Sequence, residues 1–318
     1  LVYYNLAVTF GNIPLQLEEV TSPEVEINQV SASEVYAQIA GDLADAESLL
    51  PASYGADDIG RATSGAAATL LGLVELTAGN NGAAESALRR VVTSNQYELV
   101  DSYADIWGVQ NENNVESIFE IQYQSGGAGV GSGFTEYYSP DLGLTGGVGG
   151  GNVPQEVTDD LLAAYDAGDD RLAGSYGVTN AGDDYLSKYD APQNIAFDSD
   201  INFIVFRYAD VLLMLAEAVG ESPEGWGLIN EVRERSGLAD PAEGLGLPYE
   251  EVLLLERRRE FAGENKRWPD LKRFGVAREV MADFLAADGK TEDDIRLLYP
   301  IPQREIDAAP GALTQNPL

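Results

Sequence analysis

The chain contains no cysteine and no histidine among its 318 residues. Without a thiol it forms no disulfide and carries no cysteine nucleophile. Without an imidazole it lacks the commonest general base and the commonest metal ligand of proteins. Composition alone therefore excludes Ser-His-Asp and Cys-His catalysis and histidine zinc sites.

Basic residues are also scarce, with 19 Lys and Arg against 53 Asp and Glu and a formal net charge of -34. Such a chain repels phosphate backbones, so nucleic acid is not an expected partner. We interpret the acidity as adaptation to high salt, where ions screen self-repulsion; calcium binding across the surface is the alternative. The stretch 166–170 lacks the ligand alternation and closing Glu of an EF-hand loop. No motif therefore supports a structural calcium ion, and no cofactor is expected.

Long apolar runs are missing too. No stretch of 18 apolar residues occurs, so no helix is expected to span a membrane. The chain opens at Leu1 in what looks like the middle of a helix, with no signal peptide. We expect the natural N-terminus, with any export signal or lipid-anchoring cysteine, to lie outside this chain. The hydrophobic content of 44% and the 16 Tyr indicate a globular protein.

Helical periodicity marks residues 31–95 and 206–275. Ser31 and Glu34 form a capping box that begins a helix running to about Leu50. Two Ala-rich helices follow and are typical of an αα-hairpin of tetratricopeptide type. Further helices are predicted over 208–219, 223–235 and 249–262. We call these two stretches the first and second helical parts.

Residues 111–205 follow a different pattern, and we call them the irregular part. The run 115–123 alternates and predicts a strand, whereas 126–151 is very rich in glycine. Long loops of this kind are often functional. Sugars stack their apolar C–H faces on aromatic rings while nearby polar groups bond the hydroxyls. The candidate ligand-binding residues are Phe134, Tyr137, Tyr138, Tyr176 and Tyr185, with ordinary loop packing as the alternative for each.

Two C-terminal signatures carry a family resemblance. The basic-aromatic block 256–275 and the Pro-Ile-Pro-Gln segment 298–307 resemble the end of the RagB/SusD family, whose members are surface nutrient-binding lipoproteins of Bacteroidetes-type outer membranes. Other stretches match in the family's own order, so the likeness covers nearly the whole chain. They are 10–14, 60–63, 103–107, 112–123, 153–157, 165–171, 188–189, 206–218 and 229–237.

The resemblance implies a single SusD-like domain over 1–318 that lacks its N-terminal segment. Its fold is expected to be mainly α, a superhelix of tetratricopeptide-like helix pairs, with the irregular part carrying short strands and the ligand side. It also implies structural roles for Lys188, Tyr189, Trp107 and Trp268, which stand at family-wide positions.

The implied function is non-catalytic binding of a polysaccharide or oligosaccharide at the extracellular face of the outer membrane. The implied partner is a SusC-like TonB-dependent transporter, and contact with the membrane is expected only through a lipid anchor outside this chain. An enzyme is not expected, since paired carboxylates for glycoside hydrolysis arise by chance among so many acids. The alternative is a tetratricopeptide-type scaffold that binds a protein or peptide in a concave helical groove.

The block 256–275 itself has three interpretations. It holds seven of the 19 basic residues. It is an anion-binding site, a surface facing the transporter, or a set of internal ion pairs. We favour internal pairing, because Leu254, Phe261 and Trp268 recur every seven residues as one buried stripe.

Overall fold

The structure is a computed structural model that describes residues 1–19, 28–139, 157–179, 182–239 and 241–317. Thirteen α-helices and three two-stranded sheets lie within these residues. The mainly α-helical prediction is confirmed. None of the helices in these ranges has the length and apolarity needed to cross a bilayer.

The N-terminal elements are four helices, each packed against the next, and one two-stranded sheet. They are α1 (Val2–Phe10), β1 (Ile13–Pro14), β2 (Gln29–Val30), α2 (Ala32–Leu49), α3 (Ser64–Thr77) and α4 (Asn81–Thr93). The predicted capping box is present, since Glu34 N–H donates to Ser31 Oγ and Ser31 N–H donates to the Glu34 carboxylate. A Cβ on Gly72 would lie 2.6 Å from Leu88, which shows how closely α3 and α4 approach.

The irregular part consists of short elements joined by loops. They are β3 (Ser117–Ile121), α5 (Phe134–Tyr138), α6 (Asp159–Leu162), α7 (Asp170–Ser175), β4 (Tyr176–Val178), β5 (Asp184–Leu186) and β6 (Phe203–Arg207). Strands β3 and β6 pair antiparallel with an irregular register, and β4 pairs antiparallel with β5. The glycine-rich prediction over 126–151 falls partly on 140–151, which lie outside the described residues.

The second helical part follows directly from β6. Its helices and those after it are α8 (Tyr208–Val219), α9 (Pro223–Arg235), α10 (Tyr249–Glu260), α11 (Arg267–Arg273), α12 (Ala277–Phe284) and α13 (Gln303–Ala308). Helices α8 and α9 have the predicted bounds. Of the three residues predicted to form one buried stripe, Leu254 and Phe261 are buried and Trp268 is only half-buried.

Helix α8 lies at the centre of the main hydrophobic core. Leu212, Leu213 and Met214 are each at most 1% exposed, since α3, α4, α9 and α10 pack around this helix. A helix that is apolar on every side is stable only when it is covered on every side. The two helical parts therefore share one core, and the irregular part lies against it.

Candidate functional site

The basic-aromatic block 256–275 is held largely in internal ion pairs. Arg257 is 2% exposed, and its guanidinium lies 3.1 Å from Asp210 Oδ1 and 2.8 Å from Asp270 Oδ2. Arg259 Nη1 lies 2.8 Å from Asp166 Oδ2. These contacts are those expected of internal pairing, and they leave the block little free charge for an outside anion.

Glu260 is the centre of a buried ion network that joins the irregular part to the second helical part. Its carboxylate contacts Arg171 at 3.1 Å and Arg207 at 2.5 Å, and it also contacts Arg235. Burial raises the pKa of Glu260, but the arginines Arg235, Arg207 and Arg171 outweigh burial and hold that pKa far below its ordinary value. The carboxylate is therefore ionised in the interior, where removing one partner is costly.

Lys188 and Tyr189 belong to the same interior. Lys188 Nζ lies 2.8 Å from Glu264 Oε1 and 4.4 Å from the centroid of the Trp107 ring. Burial lowers the pKa of Lys188, and the Glu264 carboxylate opposes that effect. Tyr189 Oη donates to the carbonyl of Gly263 at 3.0 Å. These contacts agree with the structural roles expected for Lys188, Tyr189 and Trp107.

The candidate residues Phe134 and Tyr138 are packed in an aromatic stack at α5. The Phe134 ring stacks on Phe203 at 4.9 Å and on Tyr189 at 5.2 Å between centroids. The ring centroid of Tyr138 lies 4.9 Å from that of Tyr189, and Tyr138 is half-buried. Neighbouring rings therefore occupy the faces of Phe134, which disfavours it as a surface for a sugar.

The candidate residues Tyr176 and Tyr185 lie on the β4–β5 hairpin. Tyr185 is 6% exposed, and its hydroxyl donates to Asp190 Oδ2 at 2.8 Å. Tyr176 is half-buried, with its hydroxyl 3.2 Å from that of Tyr165. The expectation of an open ring does not hold for Tyr185, because its cross-strand neighbour Gly177 lets the ring pack down onto the hairpin.

Tyr137 is the exposed member of the candidate set. It is 47% exposed and meets Phe197, which is 42% exposed, edge to face at 5.5 Å between ring centroids. We call Tyr137 and Phe197 the aromatic pair. Exposed neighbouring rings on a rigid base offer the apolar surface that a sugar face needs. Tyr137 is thus the candidate whose ring is open to a ligand, and Phe197 joins it as a further candidate.

Phe197 was not predicted from the sequence, although its backbone marks it. Its φ is +60°, and the other non-glycine residues with positive φ in the described ranges are all asparagine. A bulky residue in this region is strained by about 1–3 kcal/mol and persists only where its surroundings fix it. Such outliers cluster at ligand sites, so the strain is a second observation in favour of the aromatic pair. No pattern in the local sequence signals it.

A cavity of about 60 Å³ lies between α2, α3 and α4, among the tetratricopeptide-like helices. Its lining includes Tyr97, Gly65 and the ion pair of Arg90 with Glu47. Sites for small molecules usually enclose roughly 300–1,000 Å³. This cavity is therefore too small for an oligosaccharide or for a large side chain of a bound peptide.

Comparison with known proteins gives two matching family models. One, described as the SusD family, matches residues 184–318, and one described as starch-binding associating with outer membrane matches residues 1–76. Among curated relatives, SusD-like protein P25 of Formosa agariphila is 25% identical over 99% of this chain and 70% of its own length. SusD-like protein P38 of the same organism is 35% identical over 47% of this chain and 32% of its own length.

Solved structures with a fold similar to that of this chain include SusD-like and surface glycan-binding proteins. A laminarin-binding SusD-like protein has a TM-score of 0.84 and 29% identity, covering 99% of this chain and 76% of that one. Surface glycan-binding protein A from Bacteroides fluxus has a TM-score of 0.84 and 27% identity, covering 99% and 75%. Its counterpart from Bacteroides thetaiotaomicron in complex with laminarihexaose, at 24% identity and a TM-score of 0.84, shares the fold.

Proposed function

We propose that this chain, which belongs to the SusD/RagB family, binds a glycan on the aromatic pair Tyr137 and Phe197. The family consists of carbohydrate-binding proteins without catalysis, associated with the outer membrane. The chain is accordingly a binding protein and not an enzyme.

The observation that carries the site is the exposure of two contacting rings on an otherwise packed frame. Phe134 and Tyr138 of α5 stack on each other, and Phe134 also stacks on Tyr189. The same short helix presents Tyr137. A sugar that covers the exposed faces of Tyr137 and Phe197 buries apolar area on both partners without rearranging the frame. Tyr138 and Tyr176, which are half-buried, stand as secondary contacts in this proposal, and Phe134 and Tyr185 support the fold.

Laminarin is the first ligand to test, because the laminarin-binding neighbour shares 29% identity over 99% of this chain. We propose that binding takes place at the extracellular face of the outer membrane, with a lipid anchor outside these residues. Delivery to a SusC-like TonB-dependent transporter would follow. The family description of association with the outer membrane supports the location, and the transporter is the family's implied partner.

Tyr137→Ala tests the site directly. We expect affinity for laminarihexaose to fall about tenfold, since one aromatic contact contributes roughly 0.5–1.5 kcal/mol beyond area burial. Isothermal titration calorimetry measures the affinity at molar and at low salt. Both conditions are needed because the net charge of -34 is weakly screened at low salt, where self-repulsion destabilises the folded chain.

The control is Tyr299→Ala, which removes a ring that is 60% exposed outside the irregular part. This control should bind like the parent. Equal affinity of the parent and Tyr137→Ala would refute the proposed site. A panel of oligosaccharides and peptides separates the two ligand classes, since binding only of peptides would favour the tetratricopeptide-type scaffold.

A further inference from the structure

The exposed ring of Phe197 depends on a backbone conformation that phenylalanine disfavours, with φ at +60°. Its ring contacts Tyr137 edge to face at the surface. A strained residue persists only where its surroundings determine it more strongly than its own preference. The residues that hold the backbone of Phe197 therefore decide whether the aromatic pair exists.

Asp198, the next residue in the chain, is tied to the glycine-rich loop 125–131. It is only 7% exposed, and its Oδ2 accepts hydrogen bonds from Gly126 N–H and Gly127 N–H, each at 2.8 Å. Asp200 Oδ1 accepts from Ser125 N–H at 2.7 Å. Three successive amides of one loop therefore point at the two carboxylates that follow Phe197. Hydrogen bonds to a carboxylate are roughly twice as strong as neutral ones.

The loop itself is closed and fitted to Asp198. Gln124 N–H donates to Val130 O at 3.0 Å, which brings the two ends of the loop together. A Cβ on Gly131 would lie 1.9 Å from Asp198 Oδ1, so only glycine fits at that position. Gly131 is thus a steric requirement of the loop that receives the carboxylate, whereas Gly126, Gly127 and Gly129 are favoured by their positive φ.

Two further contacts connect this clamp to the aromatic pair. Ser132 and Ser199 exchange backbone hydrogen bonds of 2.8 and 3.0 Å, which fixes the chain just beyond Asp198. At Gly133, a Cβ would lie 3.3 Å from the Tyr137 ring and 3.4 Å from the Phe197 ring. The segment that follows the loop therefore lies directly beneath both rings. Displacing the loop would move the base on which the pair rests.

We propose that Asp198 is a positioning residue for the glycan site. Its carboxylate clamps loop 125–131 and thereby holds Phe197 against Tyr137 before a ligand arrives. A ring fixed in its bound position loses less conformational freedom on binding, so preorganisation raises affinity without a new contact. This inference rests on the proposed function, because it assigns Asp198 to the same site, and it goes beyond it by naming a residue that does not touch the ligand.

The test is a double-mutant cycle on the full chain with laminarihexaose as the probe. Phe197→Ala should weaken binding about tenfold, as expected for one aromatic contact. Asp198→Ala should weaken it by a similar factor. If Asp198 acts through Phe197, the combined variant should bind no more weakly than Phe197→Ala alone, because coupled residues are not additive. A merely structural residue would add its own loss.

Two more variants separate positioning from loss of fold. Asp198→Asn keeps an oxygen acceptor of the same shape and should recover affinity to within about threefold of the parent. Asp294→Ala is the matched control, since Asp294 also accepts a backbone hydrogen bond, from Thr291 N–H at 2.9 Å, but far from the site along the chain. It should bind like the parent. Hydrogen exchange should speed up at Gly126 and Gly127 in Asp198→Ala, with the amides of α8 unchanged.

The outcomes distinguish this inference from the proposed function. Parent-like affinity in Asp198→Ala, with a loss in Phe197→Ala, overturns the positioning role and leaves the glycan site intact. Additive losses in the combined variant, or global unfolding of Asp198→Ala at the assay temperature, overturn it as well. Parent-like affinity in both Phe197→Ala and Tyr137→Ala removes the proposed site, and the inference with it. A parent chain that binds none of the panel removes both.

Discussion

The helical parts and the irregular part of this protein are held together by different interactions. The helical parts share an apolar core in which Leu88, Leu212 and Leu213 are at most 1% exposed. The irregular part is fixed to that core by buried charges and stacked rings, as when Arg171 reaches Glu256 across 85 positions of sequence. Apolar packing tolerates substitutions of similar volume, whereas a buried charge requires its partner. The packing of the irregular part therefore depends more on individual residues than the packing of the helical parts does.

The largest effect should follow from removing one charge at the centre of the buried ion network. Glu260→Gln removes the carboxylate that Arg171, Arg207 and Arg235 share and leaves the buried network with one negative charge fewer. We expect a loss of about 3–5 kcal/mol in the free energy of unfolding, the usual cost of breaking a buried pair. Chemical denaturation measures it.

The matched control for that variant is an exposed ion pair. Arg89 lies 2.7 Å from Glu224, with both side chains more than two-fifths exposed. Arg89→Ala should change the free energy of unfolding by less than about 1 kcal/mol. A loss in Glu260→Gln as small as that of the control would contradict a structural role for the network.

A core substitution in the first helical part should separate stability from binding. Leu88→Ala removes a fully buried side chain that packs against Gly72. We expect the free energy of unfolding to fall by about 2–5 kcal/mol, from lost transfer energy and the cavity left behind. Affinity for laminarihexaose, measured under conditions where the variant is folded, should stay at the parent value. A selective loss of affinity in the folded variant would mean that the helical part also contributes to the site.

The smallest effect should be a pH dependence within the irregular part. Burial raises the pKa of Glu112 from 4.5 to about 7, although Asn202 N–H donates to its carboxylate at 2.8 Å. Between these pH values the folded chain keeps a proton that the unfolded chain releases, so this group's contribution to stability falls as pH rises from about 4.5 to about 7. Burial raises the pKa of Asp190 to about 6, which acts in the same direction.

Glu112→Gln removes this titration. Because Glu112 is partly exposed, solvent screening keeps the effect modest. Unfolding curves at pH 4.5 and pH 7.5 should show a smaller decline in stability for the variant than for the parent. Equal declines would mean that Glu112 does not carry the proton.

The contrast between the helical parts and the irregular part also explains which features the sequence predicts. Helices α8 and α9 were predicted to the residue, and the capping box at Ser31 was found, because these features depend on neighbours a few positions away. Tyr137 is a candidate from the sequence because it is an aromatic residue in a glycine-rich stretch, and it stays a prediction. Phe197 was missed, because its exposure depends on Asp198, whose amide partners lie 72 and 71 positions earlier in the chain. Contacts over such separations leave no local pattern.

The family resemblance covers more of the chain than local patterns do, yet it names none of the proposed ligand contacts. The block 256–275 is most conspicuous in the sequence because it is basic within an acidic chain. In the structure Arg257 is paired with Asp210 and Asp270, and Arg259 is paired with Asp166 of the irregular part. The block thus supports the irregular part from inside. A motif that identifies a fold can thus have a structural role and take no part in the proposed ligand-binding surface.

A crystal structure of the chain with laminarihexaose tests most directly whether the aromatic pair is the glycan site. We predict a sugar ring packed on the exposed faces of Tyr137 and Phe197, with Asp198 still hydrogen-bonded to Gly126 and Gly127. An oligosaccharide bound instead among the helices of residues 31–95, or against the block 256–275, with the aromatic pair empty, would contradict it.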